Sequence, residues 1–333
     1  MIVLETPEAR RMSRPTPTPT PGPDRPDRSA RDAQRSGWPA PKLVGAAVDG
    51  NSSGRDAAVL GSLLARAMGA ELMLIAIHEE PIVPVALPGG LSWTTLEAQA
   101  RAMLAETRDS LARDARIMVQ ADVLVWRGLR RVVRHEHRDL LVVGSARDAD
   151  TTRVRLGRSA DELLGHLECP LAIAPSGFGQ HTNGRVDRIG VGYDDTPQSR
   201  AALDLAVSMA STAGAALKVR GAIDDGVAGG VKTDQIALEG NTVADRRLTE
   251  AFERDRAAIS GTGVPTNLEV EVGMPTDVLS ALCDEVDLLV IGSGHSAPPG
   301  RVQPGRTGRG ILRLAACPVL LVPRPSAPPR HDR

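Results

Sequence analysis

Aromatic residues are scarce in this chain of 333 residues: three Trp, two Phe and one Tyr make up 2% of it. So few rings argue against a base-stacking platform for nucleic acid. A formal net charge of −1 removes a general electrostatic attraction to nucleic acid as well. No apolar run is long enough to span a bilayer, and the start MIVLETPEARR lacks the pattern of a signal peptide. We therefore expect a cytoplasmic protein without nucleic-acid or membrane partners.

Cysteine and histidine are also sparse. Three cysteines do not make a disulfide framework, and Cys169 and Cys317, each just before a proline, are predicted to be buried small apolar residues. Cys283 is predicted to lie on a helix face. The one histidine cluster, residues 135–137, places its side chains in different directions on a helix, so it predicts a solvated face and no metal site.

Proline is concentrated at the start of the chain, where nine of the 25 fall within the first 41 residues. The remainder of that segment is largely polar and charged, so it cannot bury enough apolar surface to offset its ordering entropy. We predict disordered tails at residues 1–40 and 326–333. Deleting residues 1–38 is expected to leave the melting temperature unchanged.

Two halves of the remaining chain repeat each other. Residues 143–175 recur at 291–323, with identical residues 148 positions apart: Gly144 and Gly292, Gly157 and Gly305, Cys169 and Cys317, Pro170 and Pro318. Further upstream the separation is 145: Asp49 and Asp194, Arg55 and Arg200, Gly69 and Gly214, Gly128 and Gly273. The difference of three residues predicts a shorter helix after Gly128 than after Gly273.

Each half alternates apolar strands with amphipathic helices. The first half is predicted to have strands at 43–48, 71–77, 122–126, 140–143 and 171–174, with helices at 55–68, 93–116, after Gly128 and at 159–167. The strands are continuous apolar runs, which indicates a parallel sheet covered on both faces. The fold class is therefore α/β, with two tandem Rossmann-like domains at 41–176 and 186–325, a linker at 177–185, and a five-stranded parallel sheet of order 3-2-1-4-5 in each domain.

The carboxyl ends of neighbouring strands form the expected binding crevice. Asp49 and Asp194 end the first strand of each half, while Gly144 and Gly292 end the fourth. One interpretation is a nucleotide site in which loop N–H groups and a helix N-terminus hold phosphates near the acid. The alternative is that the glycines only turn a tight corner between strand and helix.

The sequence of both halves resembles a known family. An aliphatic strand followed by Asp and small residues (VDGNSS, YDDTPQS) precedes VVGSARDADTTRVRLGRSADELLGHLECPLAIAP in one half and VIGSGHSAPPGRVQPGRTGRGILRLAACPVLLVP in the other. This combination, over about residues 41–324, resembles the universal stress protein family in its tandem form. The resemblance implies an α/β fold of the HUP nucleotide-binding group, and in many members ATP binding through G-x-x-G, nine residues, G-[S/T].

The chain departs from that motif in both halves. The second glycine is replaced by Arg147 and His295, and the residue after the last glycine is Arg158 or Arg306. If the second loop position needs a positive φ, a non-glycine residue costs about 1–2 kcal/mol there. A guanidinium binds phosphate well, however, and Gly294 one place earlier would restore some freedom to the second loop.

We therefore predict an adenine-nucleotide-binding regulatory module, with ATP or a related nucleotide as the cofactor and Mg²⁺ accompanying it. The expected site residues are Asp49, Ile77, Gly144, Gly157, Arg158, Ser159, Asp194, Ala222, Gly292, Gly294, Gly305, Arg306 and Thr307. A nucleotide-free dimerisation scaffold is the alternative. An ATP-hydrolysing or nucleotidyl-transferring enzyme of the same broad fold is less favoured, because neither half has an SGGxDS-like loop after its first strand.

The final strands, 171–174 and 319–322, are predicted to pair the halves as a pseudo-dimer, because each would otherwise be an exposed apolar edge. The resemblance also suggests a homodimer.

Overall fold

The structure, a computed structural model, describes residues 41–80, 93–135, 139–146, 153–223 and 236–326. The predicted tail at 1–40 lies outside the described residues, as does all but the first residue of the tail at 326–333. Within the described part of the chain, no helix combines the length and apolar character needed to cross a membrane.

The first half contains five strands and four described helices: β1 Leu43–Ala47, α1 Ser52–Met68, β2 Glu71–Glu79, α2 Trp93–Leu111, β3 Arg116–Asp122, α3 Val125–His135, β4 Leu140–Gly144, α4 Arg158–Leu163 and β5 Leu171–Ala174. A short helix, α5 Phe178–His181, follows. The second half repeats the pattern: β6 Arg188–Gly192, α6 Pro197–Ala213, β7 Ala216–Ile223, α7 Ile236–Ser260, β8 Thr266–Val272, α8 Pro275–Cys283, β9 Leu288–Gly292, α9 Arg306–Leu314 and β10 Val319–Val322.

The ten strands form one sheet of order β3-β2-β1-β4-β5-β10-β9-β6-β7-β8. Each half is parallel and has the predicted order 3-2-1-4-5. The halves join where β5 and β10 pair antiparallel, with Ala172 opposite Leu320. This confirms the predicted pairing through the final strands, which removes two apolar edges from solvent.

The core has two layers, one on each face of the sheet. Helices α1 and α6 cover one face and contact each other across the junction, while α3, α4, α8 and α9 cover the other. Strands β4, β5, β9 and β10 are buried on both faces, which explains their continuous apolar sequences. All three cysteines are buried, as predicted for Cys169 and Cys317, and burial raises the pKa of the Cys169 thiol.

The predicted linker, residues 177–185, is anchored to the first half. The buried carboxylate of Asp56 in α1 accepts hydrogen bonds from the N–H of Gly177 at 2.8 Å and of Gly179 at 2.7 Å. The Arg66 guanidinium donates a further bond to the carbonyl oxygen of Gly184 at 3.3 Å.

The predicted third strand of the first half, residues 122–126, is wrong. The strand runs over Arg116–Asp122, and Gly128 lies inside α3. Glycine is required there by close packing and not by a turn, because a Cβ atom on Gly128 would lie 2.8 Å from a methyl group of Ile77.

The predicted equivalence of Gly128 and Gly273 in the repeat is also wrong, because Gly128 lies inside α3 whereas Gly273 directly follows β8. Arg116 lies opposite Met73 in β2, and its counterpart Asn267 lies opposite Lys218 in β7, so equivalent residues of β3 and β8 are 151 apart (267 − 116). Helix α3 has 11 residues and α8 has nine, so the first half has the longer helix, not the shorter one.

Candidate functional site

A cavity of about 160 Å³ lies in the second half, where the carboxyl ends of β6 and β9 meet. Four of the seven residues predicted for this half line it: Asp194, Ala222, Gly292 and Thr307. Other lining residues were not among the predicted site residues, for example Tyr193, Thr196, Gln198, Ser199, Arg220, Leu279 and Ile291. The cavity therefore combines apolar walls with a small set of polar groups, as small-molecule sites do.

Gly292 is needed for the approach of a helix to the end of β9. A Cβ atom there would lie 2.6 Å from the carbonyl oxygen of Gln198, in the first turn of α6. Gly144 has the same role in the first half, where a Cβ atom would lie 2.1 Å from the carbonyl oxygen of Ser53 in α1. Neither glycine has a positive φ. Close packing of helix on strand explains both, and it brings the first turn of each helix to the crevice.

Gln198 is the buried polar group that the packing of the second half leaves unsatisfied. The residue lines the cavity and is 5% exposed, yet its Oε1 atom has no hydrogen-bond partner in the part of the chain that the structure describes. The residue at the same position of the first half is Ser53, whose hydroxyl donates to the carbonyl oxygen of Ser145 at 2.7 Å. An unsatisfied buried carbonyl oxygen is costly unless a ligand or water supplies a donor.

The two acidic residues at the strand ends are used differently. Asp49 Oδ1 accepts from the N–H of Gly54 in the first turn of α1, at 3.1 Å. In the second half Thr196 caps α6 instead, accepting from the Ser199 N–H at 3.2 Å in a capping box. Asp194 Oδ1 accepts from the Thr196 hydroxyl at 2.6 Å, and Asp194 is exposed at the cavity.

The glycine loops are fastened by a serine that sequence analysis overlooked. Ser293 donates through Oγ to the carbonyl oxygen of Val322 at 2.8 Å and accepts from the N–H of Gln303 at 3.2 Å. Ser145 makes the matching contacts in the first half. The sequence contained a signal for this serine, because Gly-Ser occurs at the same place in both copies of the repeat.

The second loop does not have a positive φ at the position where the motif glycine is replaced. His295 is outside the positive-φ region, so replacing the family glycine there carries no backbone cost; Arg147 lies outside the described residues. Gly294 and Gly305 abut, since a Cβ atom on Gly294 would lie 2.6 Å from the Gly305 Cα. Helix α9 then begins at the exposed Arg306, without a side-chain cap.

The predicted site residues of the first half have different surroundings from their counterparts in the second half. Gly157 precedes α4, which begins with Arg158 and Ser159 but has only six residues. Ile77, the counterpart of Ala222, is in contact with α3 at Gly128.

A polar network fixes the turn beside Asp194. Asp195 has a φ of 59°, the one positive value for a non-glycine residue in the described ranges. Its Oδ1 accepts from Arg200 at 2.6 Å, Arg254 at 2.7 Å and the Tyr193 hydroxyl at 3.0 Å. Burial alone would raise the pKa of Asp195, but the hydrogen bonds from these groups outweigh it and lower the pKa.

Arg220 lines the same cavity but is committed elsewhere. Its guanidinium, 7% exposed, pairs with Glu269 and Glu271, each at 2.8 Å, and donates to Asn267 at 2.7 Å. A guanidinium held this way is not a candidate phosphate ligand.

Metal-binding clusters of three or more His, Cys, Asp or Glu residues do not occur in the part of the chain that the structure describes. His135 ends α3, while Glu136 and His137 of the sequence cluster lie outside the described residues.

The fold and crevice define a tandem α/β protein of the Rossmann-like type, and comparison with known proteins identifies the family. The profile of the Universal stress protein family matches residues 42–175 and 185–323. The chain belongs to the universal stress protein family, with two family domains in tandem.

Relatives agree with this assignment, and solved structures agree with the fold. Universal stress proteins of Mycobacterium tuberculosis and Mycobacterium bovis are 26% identical over 201 residues, which is 59% of this chain and 68% of theirs. The fold is similar to that of a universal stress protein from Archaeoglobus fulgidus, with a TM-score of 0.61 and 16% identity over 85% of this chain and 98% of that one. A functionally unknown protein from Pseudomonas aeruginosa gives a TM-score of 0.59 at 15% identity, over 86% and 93% of the two chains.

Proposed function

We propose that this tandem universal stress protein is a regulatory module that binds an adenine nucleotide, ATP or a related molecule, in its second half. The observation that carries the proposal is Gln198, a residue that lines the cavity and whose buried Oε1 atom has no hydrogen-bond partner among the described residues. When the side-chain amide turns towards the cavity, the exocyclic amino group of adenine would supply the missing donor.

The cavity suits the base and not the whole nucleotide. At about 160 Å³ it is smaller than the roughly 300–1,000 Å³ of pockets that enclose a complete ligand. Ala222, Leu279 and Ile291 give it apolar walls. The phosphates would then lie outside, over the first turn of α9, where unsatisfied N–H groups and the positive end of the helix dipole favour anions.

Arg306 and Asp194 are the charged residues suited to this arrangement. Arg306 is exposed at the first position of α9, where a guanidinium can contact phosphates but not the base. Asp194 is the one carboxylate of the described residues that lines the cavity, so it is the residue that would serve a Mg²⁺ ion accompanying the phosphates.

The second half should bind more tightly than the first. In the first half Asp49 caps α1, Ile77 takes the place of Ala222, and α4 is too short to act as a strong phosphate site. Asp194→Ala should therefore weaken ATP binding more than Asp49→Ala does.

Calorimetric titration with ATP and adenosine tests the proposal. Arg306→Ala should weaken ATP by about 1.5–3 kcal/mol and leave adenosine unchanged, because a charged donor is lost only to the phosphates. Arg309→Ala, which removes an exposed arginine one turn further along α9, is the matched control. No heat from the wild type at millimolar ATP would refute nucleotide binding. Equal losses for ATP and adenosine would place Arg306 outside the phosphate site.

A nucleotide-free dimerisation scaffold is the second candidate, favoured by the replacement of the motif residues by Arg147, His295, Arg158 and Arg306. This candidate predicts that sedimentation gives a stable homodimer whose dissociation constant is unaffected by ATP. A monomer under all conditions would contradict it. A cytoplasmic location remains a prediction from the sequence.

A further inference from the structure

Helix α3 presents a row of arginines on one side. We call Arg127, Arg130, Arg131 and Arg134 the arginine face. Their spacing of three and four residues puts them on one side of a helix, over about 10 Å of its length. With Asp122, Trp126 and His135 they line a cavity of about 440 Å³. This volume lies within the range of pockets that hold a whole small molecule.

The positive charge of the arginine face is only partly neutralised. Asp122, 6% exposed, is the one carboxylate of the described residues that lines the cavity; it pairs with Arg131 at 3.1 Å and with Arg127 at 3.9 Å. Neither Arg130 nor Arg134 pairs with a carboxylate among the described residues. The Nε atom of Arg130 is buried and has no hydrogen-bond partner in the described ranges. Like charges one turn apart destabilise a helix, so this arrangement favours an anion.

The second half shows that the fold does not need these arginines. Buried positions of α3 and α8 correspond at a separation of 150, since Leu129 and Val132 match Leu279 and Leu282 (279 − 129, 282 − 132). At that separation Arg127 and Arg134 correspond to Asp277 and Asp284, which carry the opposite charge.

The chemistry of the cavity indicates phosphate as the recognised group. A guanidinium is a planar, permanently charged fork that matches phosphate oxygens, and several together suit linked phosphates. The Trp126 ring, 5.3 Å from the His166 ring, gives the cavity an aromatic wall. Residues 1–40 carry seven arginines and five acidic residues, so this segment has a net positive charge and does not complement the arginine face.

We propose that the arginine face binds a small ligand carrying two or more linked phosphates, at a site separate from the nucleotide cavity of the second half. A concave site and a formal net charge of −1 favour a small molecule over a nucleic-acid backbone.

Fluorescence of Trp126 tests the proposal. In a Trp38→Phe/Trp93→Phe background Trp126 is the sole tryptophan, and tripolyphosphate should change its emission in a saturable way. Arg130→Gln/Arg134→Gln removes the two arginines that form no ion pair with a described residue and should weaken binding about tenfold or more. Arg246→Gln/Arg247→Gln removes the same charge from exposed positions on α7 and should leave the affinity unchanged.

Three results would show that the arginine face is not a polyphosphate site. They are no saturable change at about 10 mM tripolyphosphate, equal losses of affinity in both double variants, and binding of a duplex oligonucleotide without binding of tripolyphosphate. A parallel titration with ATP distinguishes the ligand source: tighter binding than tripolyphosphate indicates a nucleotide, and weaker binding an inorganic polyphosphate. Asp194→Ala should leave the Trp126 signal intact, so this test is independent of the nucleotide cavity.

Discussion

Replacing Asp56 tests how the segment between the halves is held. This side chain, 4% exposed, accepts two backbone hydrogen bonds, one through each carboxylate oxygen, from Gly177 and Gly179. Asp56→Ala removes both acceptors, and Asp56→Asn keeps one acceptor oxygen while placing an amide donor against the other N–H group. The free energy of unfolding should therefore fall in both variants, and further in the alanine variant.

The magnitude follows from the exposure of the donors. A buried donor that loses its partner costs about 1–3 kcal/mol. Gly177 and Gly179 are only half-buried, so water replaces part of each lost bond and the lower end of that range applies. We expect a loss of about 2 kcal/mol for Asp56→Ala and about 1 kcal/mol for Asp56→Asn.

Urea unfolding followed by circular dichroism measures both losses. Asp109→Ala is the matched control, because it removes a carboxylate of an exposed pair with Arg108 and should change stability by less than about 0.5 kcal/mol. If Asp56→Ala stays within about 0.5 kcal/mol of the wild type with an unchanged urea dependence, the two hydrogen bonds do not hold the segment.

Three further predictions concern the crevices, with Gly157→Ala as the control for the first. Gly144→Ala should destabilise the protein by about 2 kcal/mol or more in the same assay, because its Cβ would meet a backbone oxygen. Gly157→Ala, whose Cβ has 3.6 Å of clearance, should cost less than about 1 kcal/mol. Asp195→Asn should lower stability at pH 7, since the hydrogen-bonded carboxylate has a lowered pKa; that difference should shrink as the pH falls below about 4 and the wild-type carboxyl group protonates. A pH-independent difference would contradict this. Ala222→Ile, which copies Ile77, should abolish adenosine binding measured by calorimetry without unfolding the protein; unchanged affinity would place the base elsewhere.

The strand order could be predicted because buried strands leave an unambiguous sequence. Strands such as Leu140–Gly144 and Leu288–Gly292 are covered on both faces and are therefore apolar throughout. The edge strand Arg116–Asp122 was missed because most of its residues are only partly buried and its sequence is mixed. Gly128 misled the prediction further, since the sequence does not distinguish a glycine that turns the chain from one that lets Ile77 approach a helix.

Much of the candidate crevice could be predicted from the repeat alone. Asp194, Gly292 and Thr307 were expected at one place because strand ends and helix starts meet there, and the structure brings them together at the cavity. The unsatisfied state of Gln198 could not be predicted, because it depends on how closely α6 approaches Gly292.

The difference between the halves lies in the helix after the third strand. In the first half α3 packs on Ile77 through Gly128 and carries the arginine face. In the second half α8 covers Ala222, a smaller residue, and the cavity at β6 and β9 lies beside it. The helix after the third strand thus supports a different kind of surface in each half. Substitutions on the side that faces the sheet alter the crevice, while substitutions on the outer side alter the surface charge. Because the two surfaces lie in different halves, variants of one can be tested while the other serves as the internal control.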